Sequence, residues 1–150
     1  MDYIKEAEGY LRNYTDLTDA VENLEKELEF LEEEITGAKA IDYSGMPGGG
    51  GAALPDDRLV NLLYQKQIKE KSLELTKKKI KLIDSVLSQM AVGEGNEQDE
   101  KVLRKFFIDN IRGQALEKEF GVSERHVYRM KGKAIRRFAI QIFGIKGLGE

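Results

Sequence analysis

The sequence has no cysteine and no tryptophan, a single histidine, His126, and two prolines in 150 residues. Without cysteine the chain cannot build a disulfide, a thiolate zinc site or a thiol nucleophile, and it fits a reducing compartment. One histidine would need carboxylates alone to complete a metal site, so no metal is expected. No apolar run approaches about 18 residues and no basic, apolar leader opens the chain, so neither a membrane span nor secretion is expected. There is also no discernible carboxylate pair or nucleophile–base set, and hence no expectation of an enzyme or a cofactor.

What the chain has instead is charge, unevenly placed. The net charge of −3 conceals 3 basic against 12 acidic side chains in residues 1–36. Residues 58–92 carry 8 basic and 3 acidic side chains, and residues 101–150 carry 12 and 5. Such asymmetry predicts pairing between the first two segments and a basic end available to a polyanion.

The first segment holds a sustained heptad: Tyr3, Ala7, Tyr10, Tyr14, Leu17, Val21, Leu24, Leu28, Leu31 and Ile35 fall at alternating spacings of four and three. One apolar seam therefore runs along a helix of about nine turns, ending near Gly37. Residues 36–57 follow, with six of the 15 glycines and both prolines. A phosphate loop would place Lys and Ser/Thr directly after the last glycine, but Gly51 is followed by Ala52, Ala53 and Leu54, so the stretch is read as a flexible linker. Its apolar residues Ile41, Tyr43 and Met46 are of the kind that dock. The second helix is expected from Asp56 or Asp57, as caps, to Met90. Its seam is Leu59, Leu62, Leu73, Ile80, Ile83, Leu87 and Met90. The lysines at 77–79 and 81 complement the acidic first helix. An antiparallel, coiled-coil-like hairpin over residues 1–92 follows, serving oligomerisation, with a dimer favoured, or partner binding.

Two glycines and four acids in residues 93–100 read as an acidic hinge. Beyond it, Val102, Leu103, Phe106, Phe107 and Ile111 make one amphipathic helix, stopped by Gly113. Ala115, Leu116 and Phe120 make a short second one, stopped by Gly121. Ser123 can cap a third, running to about Phe143 with Val127, Met130, Ala134, Phe138 and Ile142 on its apolar face. The turn Gly121–Val122–Ser123 between two helices is helix-turn-helix geometry, with a left-handed glycine, Val122 plugging the angle and Val127 anchoring the second helix. The fold class is thus all-α: a long-helix hairpin plus a three-helix domain over 101–143, with 144–150 a flexible tail.

With Val127 taken as inward, Arg125 and Arg129 point outward at about 160° and 200°, with Arg136 close by. Between residues 125 and 137 there are six Lys or Arg and no Asp or Glu. A solvated helix face would intersperse acids, so this pattern points to double-stranded DNA. The start of the second helix of such a motif enters the major groove, which makes Ser123, Glu124, Arg125, His126 and Arg129 the candidates for base reading. Tyr128, Lys131, Lys133, Arg136 and Arg137 are the candidates for phosphate contact. Lys131 lies only about 40° from Val127 and is expected to snorkel outward.

Residues 101–138 resemble region four of bacterial sigma factors, on Leu103, Leu116, Phe120-Gly121-Val122-Ser123, Val127 and Ala134. Glu117 and Lys131 depart from that pattern, where the family usually has alanine and leucine. The whole chain resembles small phage and prophage transcriptional regulators of the RinA and ArpU-like group, in its YSGMPGGGGAALPDD loop and its HVYRMKGKAI helix. That resemblance implies a cytoplasmic activator of late phage genes in a bacterial host, with RNA polymerase as a further partner. Two other readings stay open: a small terminase subunit recognising packaging DNA, and a coiled-coil scaffold whose basic end is incidental.

Overall fold

The computed structural model describes residues 2–40 and 55–149, so most of the glycine-rich linker, with Ile41, Tyr43 and Met46, lies outside the described residues. All regular structure among the described residues is helical: α1 (Tyr3–Arg12), α2 (Tyr14–Lys39), α3 (Pro55–Met90), α4 (Glu97–Leu103), a π turn (Arg104–Ile108), α5 (Gln114–Phe120), α6 (Glu124–Phe143) and a 3-10 turn (Gly144–Leu148). The chain divides into two compact units, one of Met1–Thr18 with Lys78–Glu150, the other of Asp19–Lys77.

The first unit draws on both ends of the sequence. Its core gathers Ala7 and Leu11 from α1, Ile83, Val86, Leu87 and Met90 from α3, Val102 and Leu103 from α4, Leu116 from α5, and Val127, Ala134, Ile135, Phe138 and Ala139 from α6. Asp2 caps α1, its carboxylate accepting from the amides of Ile4 and Lys5 at 3.0 and 3.2 Å. The expected single helix is interrupted at Asn13, whose backbone turns to φ −92° and ψ 2°. The apolar seam nevertheless continues through the break, with Tyr10, Tyr14 and Leu17 packed on the core. The Tyr14 hydroxyl donates to Asp84 at 2.8 Å, and Arg104 stands 3.5 Å from the same carboxylate and 2.9 Å from Glu100.

Residues 97–100 open α4, preceded by a turn over residues 93–96. Glu97, Asp99 and Glu100 form the first turn of α4, where the helix dipole favours negative charge. Asp99 is buried and ion-paired to Arg137 of α6. The acidity that marks this stretch in the sequence is the opening of a helix packed into the core. The units accordingly divide at 18/19 and 77/78 rather than at 93–100. Residues 144–148 form a 3-10 turn in which Gly147 is buried, and a Cβ there would overlap the Ala139 carbonyl.

The second unit joins α2 to α3. Ion pairs link Lys66 to Glu32, Lys69 to Glu27 at 2.6 Å and Lys77 to Glu25 at 3.2 Å. Residue numbers rise on one helix as they fall on the other, so these stretches run in opposite directions. Ile35, Ala38 and Leu62 form a small buried cluster, with Leu31 and Leu59 against it. Gly37 does not stop α2, which continues to Lys39. α3 begins at Pro55, ahead of Asp56 and Asp57. Proline suits that first position because its missing N–H would find no helical acceptor there.

Candidate nucleic-acid interface

The turn between α5 and α6 is built from three local choices. Gly121 adopts φ 67° and ψ 18°, and its N–H donates to the Glu117 carbonyl at 2.8 Å. A side chain on that left-handed backbone would cost roughly 1–2 kcal/mol. Ser123 caps α6, its hydroxyl accepting from the His126 amide at 3.2 Å. Glu117 reaches across the turn so that its carboxylate accepts from the Glu124 amide at 3.1 Å. Two of the free amides at the start of α6 are therefore satisfied by side chains, one from each side of the turn. Val122 is 36% exposed and does not plug the angle. Leu116 takes the buried position, and Ala115 is exposed.

From this start α6 turns Arg125, His126, Arg129, Lys133 and Arg136 to solvent. The four Lys/Arg of that set make no ion pair or hydrogen bond with any described residue. Arg129, Gly132, Lys133 and Arg136 line a shallow depression of about 450 Å³ with Arg137 and Ile140. The lysines of α3 behave differently, since Lys66, Lys69 and Lys77 each meet a glutamate of α2. Of the run at 77–81, Lys77 pairs with Glu25 and Lys79 donates to the Tyr10 hydroxyl, whereas Arg125, Arg129, Lys133 and Arg136 meet no carboxylate among the described residues.

Not every candidate belongs to this stripe. Arg137 is committed to Asp99 and also donates to the Met90 carbonyl at 3.4 Å, so its expected phosphate contact is not open to it. Its place on the helix puts it toward α4, and a buried carboxylate there outcompetes solvent. Tyr128 sets its ring edge-on to Phe106 with centroids 5.6 Å apart, while staying 40% exposed. Lys131 does not snorkel into water. Its ammonium lies 4.3 Å from the Phe106 centroid and 5.0 Å from that of Tyr128. Burial depresses its pKa below the ordinary 10.5; Glu8 opposes that shift, and Arg12 and Arg112 reinforce it.

Sequence reasoning missed Arg12, Arg112 and Glu117. Arg12 stands in a strongly acidic segment and Arg112 in an irregular one, so neither belongs to a periodic basic face. Glu117 was visible as a departure from the sigma-like pattern, but its capping role depends on how the turn folds back. Among the described residues, no three His, Asp or Glu side chains come together as a metal site, and no helix is long and apolar enough to cross a membrane. Compared with protein-family models, curated proteins and solved structures, the chain matches none.

Proposed function

We propose that the protein binds double-stranded DNA sequence-specifically through the start of α6 and acts as a transcriptional regulator. The observation that carries this reading is the unmatched charge of Arg125, Arg129, Lys133 and Arg136, exposed on one helix whose N-terminus is fixed by two side-chain caps. An arginine fork donates well to the O6 and N7 of guanine in the major groove. Four cations left without carboxylates suit a phosphate lattice, where binding releases condensed counterions. Transcription as the process is supported by the resemblance of residues 101–138 to sigma region four.

Self-association through the second unit is part of the same reading. Val60, Tyr64, Ile68 and Leu75 lie along one side of α3 and are at least half exposed. An exposed apolar row of this kind, interrupted by Lys71, is a surface for self-association, and a second copy would present an identical row.

The test is selection from random duplexes, followed by anisotropy titration of the winner and of a scrambled control. Tight binding to the selected duplex that weakens steeply with salt is expected, with the scrambled control at least about 1,000-fold weaker. Equal affinity for both duplexes, or no binding at physiological salt, would overturn the proposal.

A further inference from the structure

Three cations from separate parts of the chain sit against one pair of rings. Arg112, between the π turn and α5, stacks with its guanidinium carbon 3.5 Å from the Phe106 centroid. Lys131 of α6 places its ammonium 4.3 Å from that centroid and 5.9 Å from that of Phe107. Arg12, the last residue of α1, lies over Phe107 at 5.2 Å. The two rings stand edge to face with centroids 5.0 Å apart. The charges of Arg12 and Arg112 both act unfavourably on the Lys131 ammonium, and the ring faces offset that only in part.

The compensation available within the protein is small. Glu8 pairs with Arg12 at 3.5 Å. Arg112 donates to the carbonyls of Phe106 and Ile111. Lys131 has no hydrogen-bond acceptor among the described residues, although it is half-buried. An apolar side chain would sit there more comfortably, since position 131 lies only about 40° from the inward direction of α6. The chain thus holds a cation where packing alone would favour a hydrocarbon, and places two more beside it.

We infer that Arg12, Arg112 and Lys131 form a clamp for a backbone phosphate of the duplex, which brings α1 into the DNA interface. The inference rests on the reading of α6 given above and extends it. Around α6, Tyr128 falls about 60° from both Lys131 and Arg125, so its ring joins the clamp to the outward stripe. A phosphate flanking the groove entered by Arg125 would meet guanidinium groups able to donate two bonds each and an ammonium lacking an acceptor. Its charge would offset the unfavourable action of both arginines on Lys131.

The experiment compares Arg12→Gln, Lys131→Met and Arg125→Ala in the full chain, titrating selected and random duplexes over a range of salt. Arg12→Gln and Lys131→Met are expected to weaken both duplexes alike, by about threefold to tenfold, and each to lower the slope of log affinity against log salt by about 0.9. Lys131→Met should also raise the thermal midpoint, because it removes a poorly solvated charge. A clamp that matters only to folding would leave both slopes at the wild-type value. Wild-type slopes in these two variants, with selective binding lost in Arg125→Ala, would overturn the clamp and leave the α6 reading standing. Absence of duplex binding by the wild type would overturn both.

Discussion

Arg137 and Asp99 form an ion pair across the core between α6 and α4, and Asp99 is the more deeply buried partner, its side chain 7% exposed against 27% for Arg137. Their removal should therefore be unequal. Arg137→Met leaves a buried carboxylate without its cation and is expected to cost about 3 kcal/mol, the lower end for a broken buried pair. Asp99→Ala leaves an arginine able to turn toward water, and should cost about 1–2 kcal/mol. Urea unfolding of both variants tests the order. Arg137→Met should leave the affinity of the folded protein for DNA within about twofold, as an arginine held inside the fold makes no phosphate contact.

The caps on α6 should be separately measurable. Ser123→Ala and Glu117→Ala each expose one backbone amide and should each lower stability by about 1 kcal/mol. A gain in stability from Glu117→Ala would show that the cross-turn bond is worth less than the helix propensity that alanine adds. Chemical denaturation reads both.

Tyr14 connects α2 to α3 through its hydrogen bond to Asp84. Burial raises its pKa above the ordinary 10.0, and the bond to Asp84 and that residue's charge raise it further. Because the folded value lies above the unfolded one, the stabilisation is complete below pH 10.0 and is lost as pH rises toward the folded value. Tyr14→Phe should cost about 1 kcal/mol at pH 7. The gap between variant and wild type should narrow above about pH 10. A gap constant to high pH would mean that packing, not the hydroxyl, sets the loss.

On DNA, Arg125→Ala and Arg129→Ala are expected to reduce discrimination between selected and scrambled duplexes by about 1–3 kcal/mol for each base that is no longer read. Lys133→Ala and Arg136→Ala should weaken both duplexes equally and flatten the salt dependence. Equal losses on both duplexes for all four variants would defeat the division of labour along the stripe.

Gly147→Ala probes the carboxyl end. The added methyl would overlap the Ala139 carbonyl, so the 3-10 turn must lift away or α6 must shift. A loss of about 1–3 kcal/mol is expected in thermal or urea unfolding.

Periodicity made much of this legible. Every residue of the seam from Tyr3 to Ile35 is buried or half-buried, because a heptad reports which side of a helix avoids water. The limits of α5 and α6 could be read from Gly121, Ser123 and the apolar positions between them, since caps act within three residues. What periodicity does not report is the partner. Asp99 finds Arg137 thirty-eight residues later, and nothing local distinguishes that acid from its solvated neighbours Glu97 and Gln98. Lys131 was placed near the apolar face, but its outcome depended on rings supplied by the π turn. That turn is itself a change of register, closed by the Asp109 amide donating to the Arg104 carbonyl at 2.9 Å, which a window set to 3.6 residues cannot detect.

The first unit combines Met1–Thr18 with Lys78–Glu150, so its core cannot close through local contacts alone. Ala7 and Leu11 share a cluster with Phe138 and Ala139, and joining segments so distant along the chain costs loop-closure entropy and slows nucleation of this core.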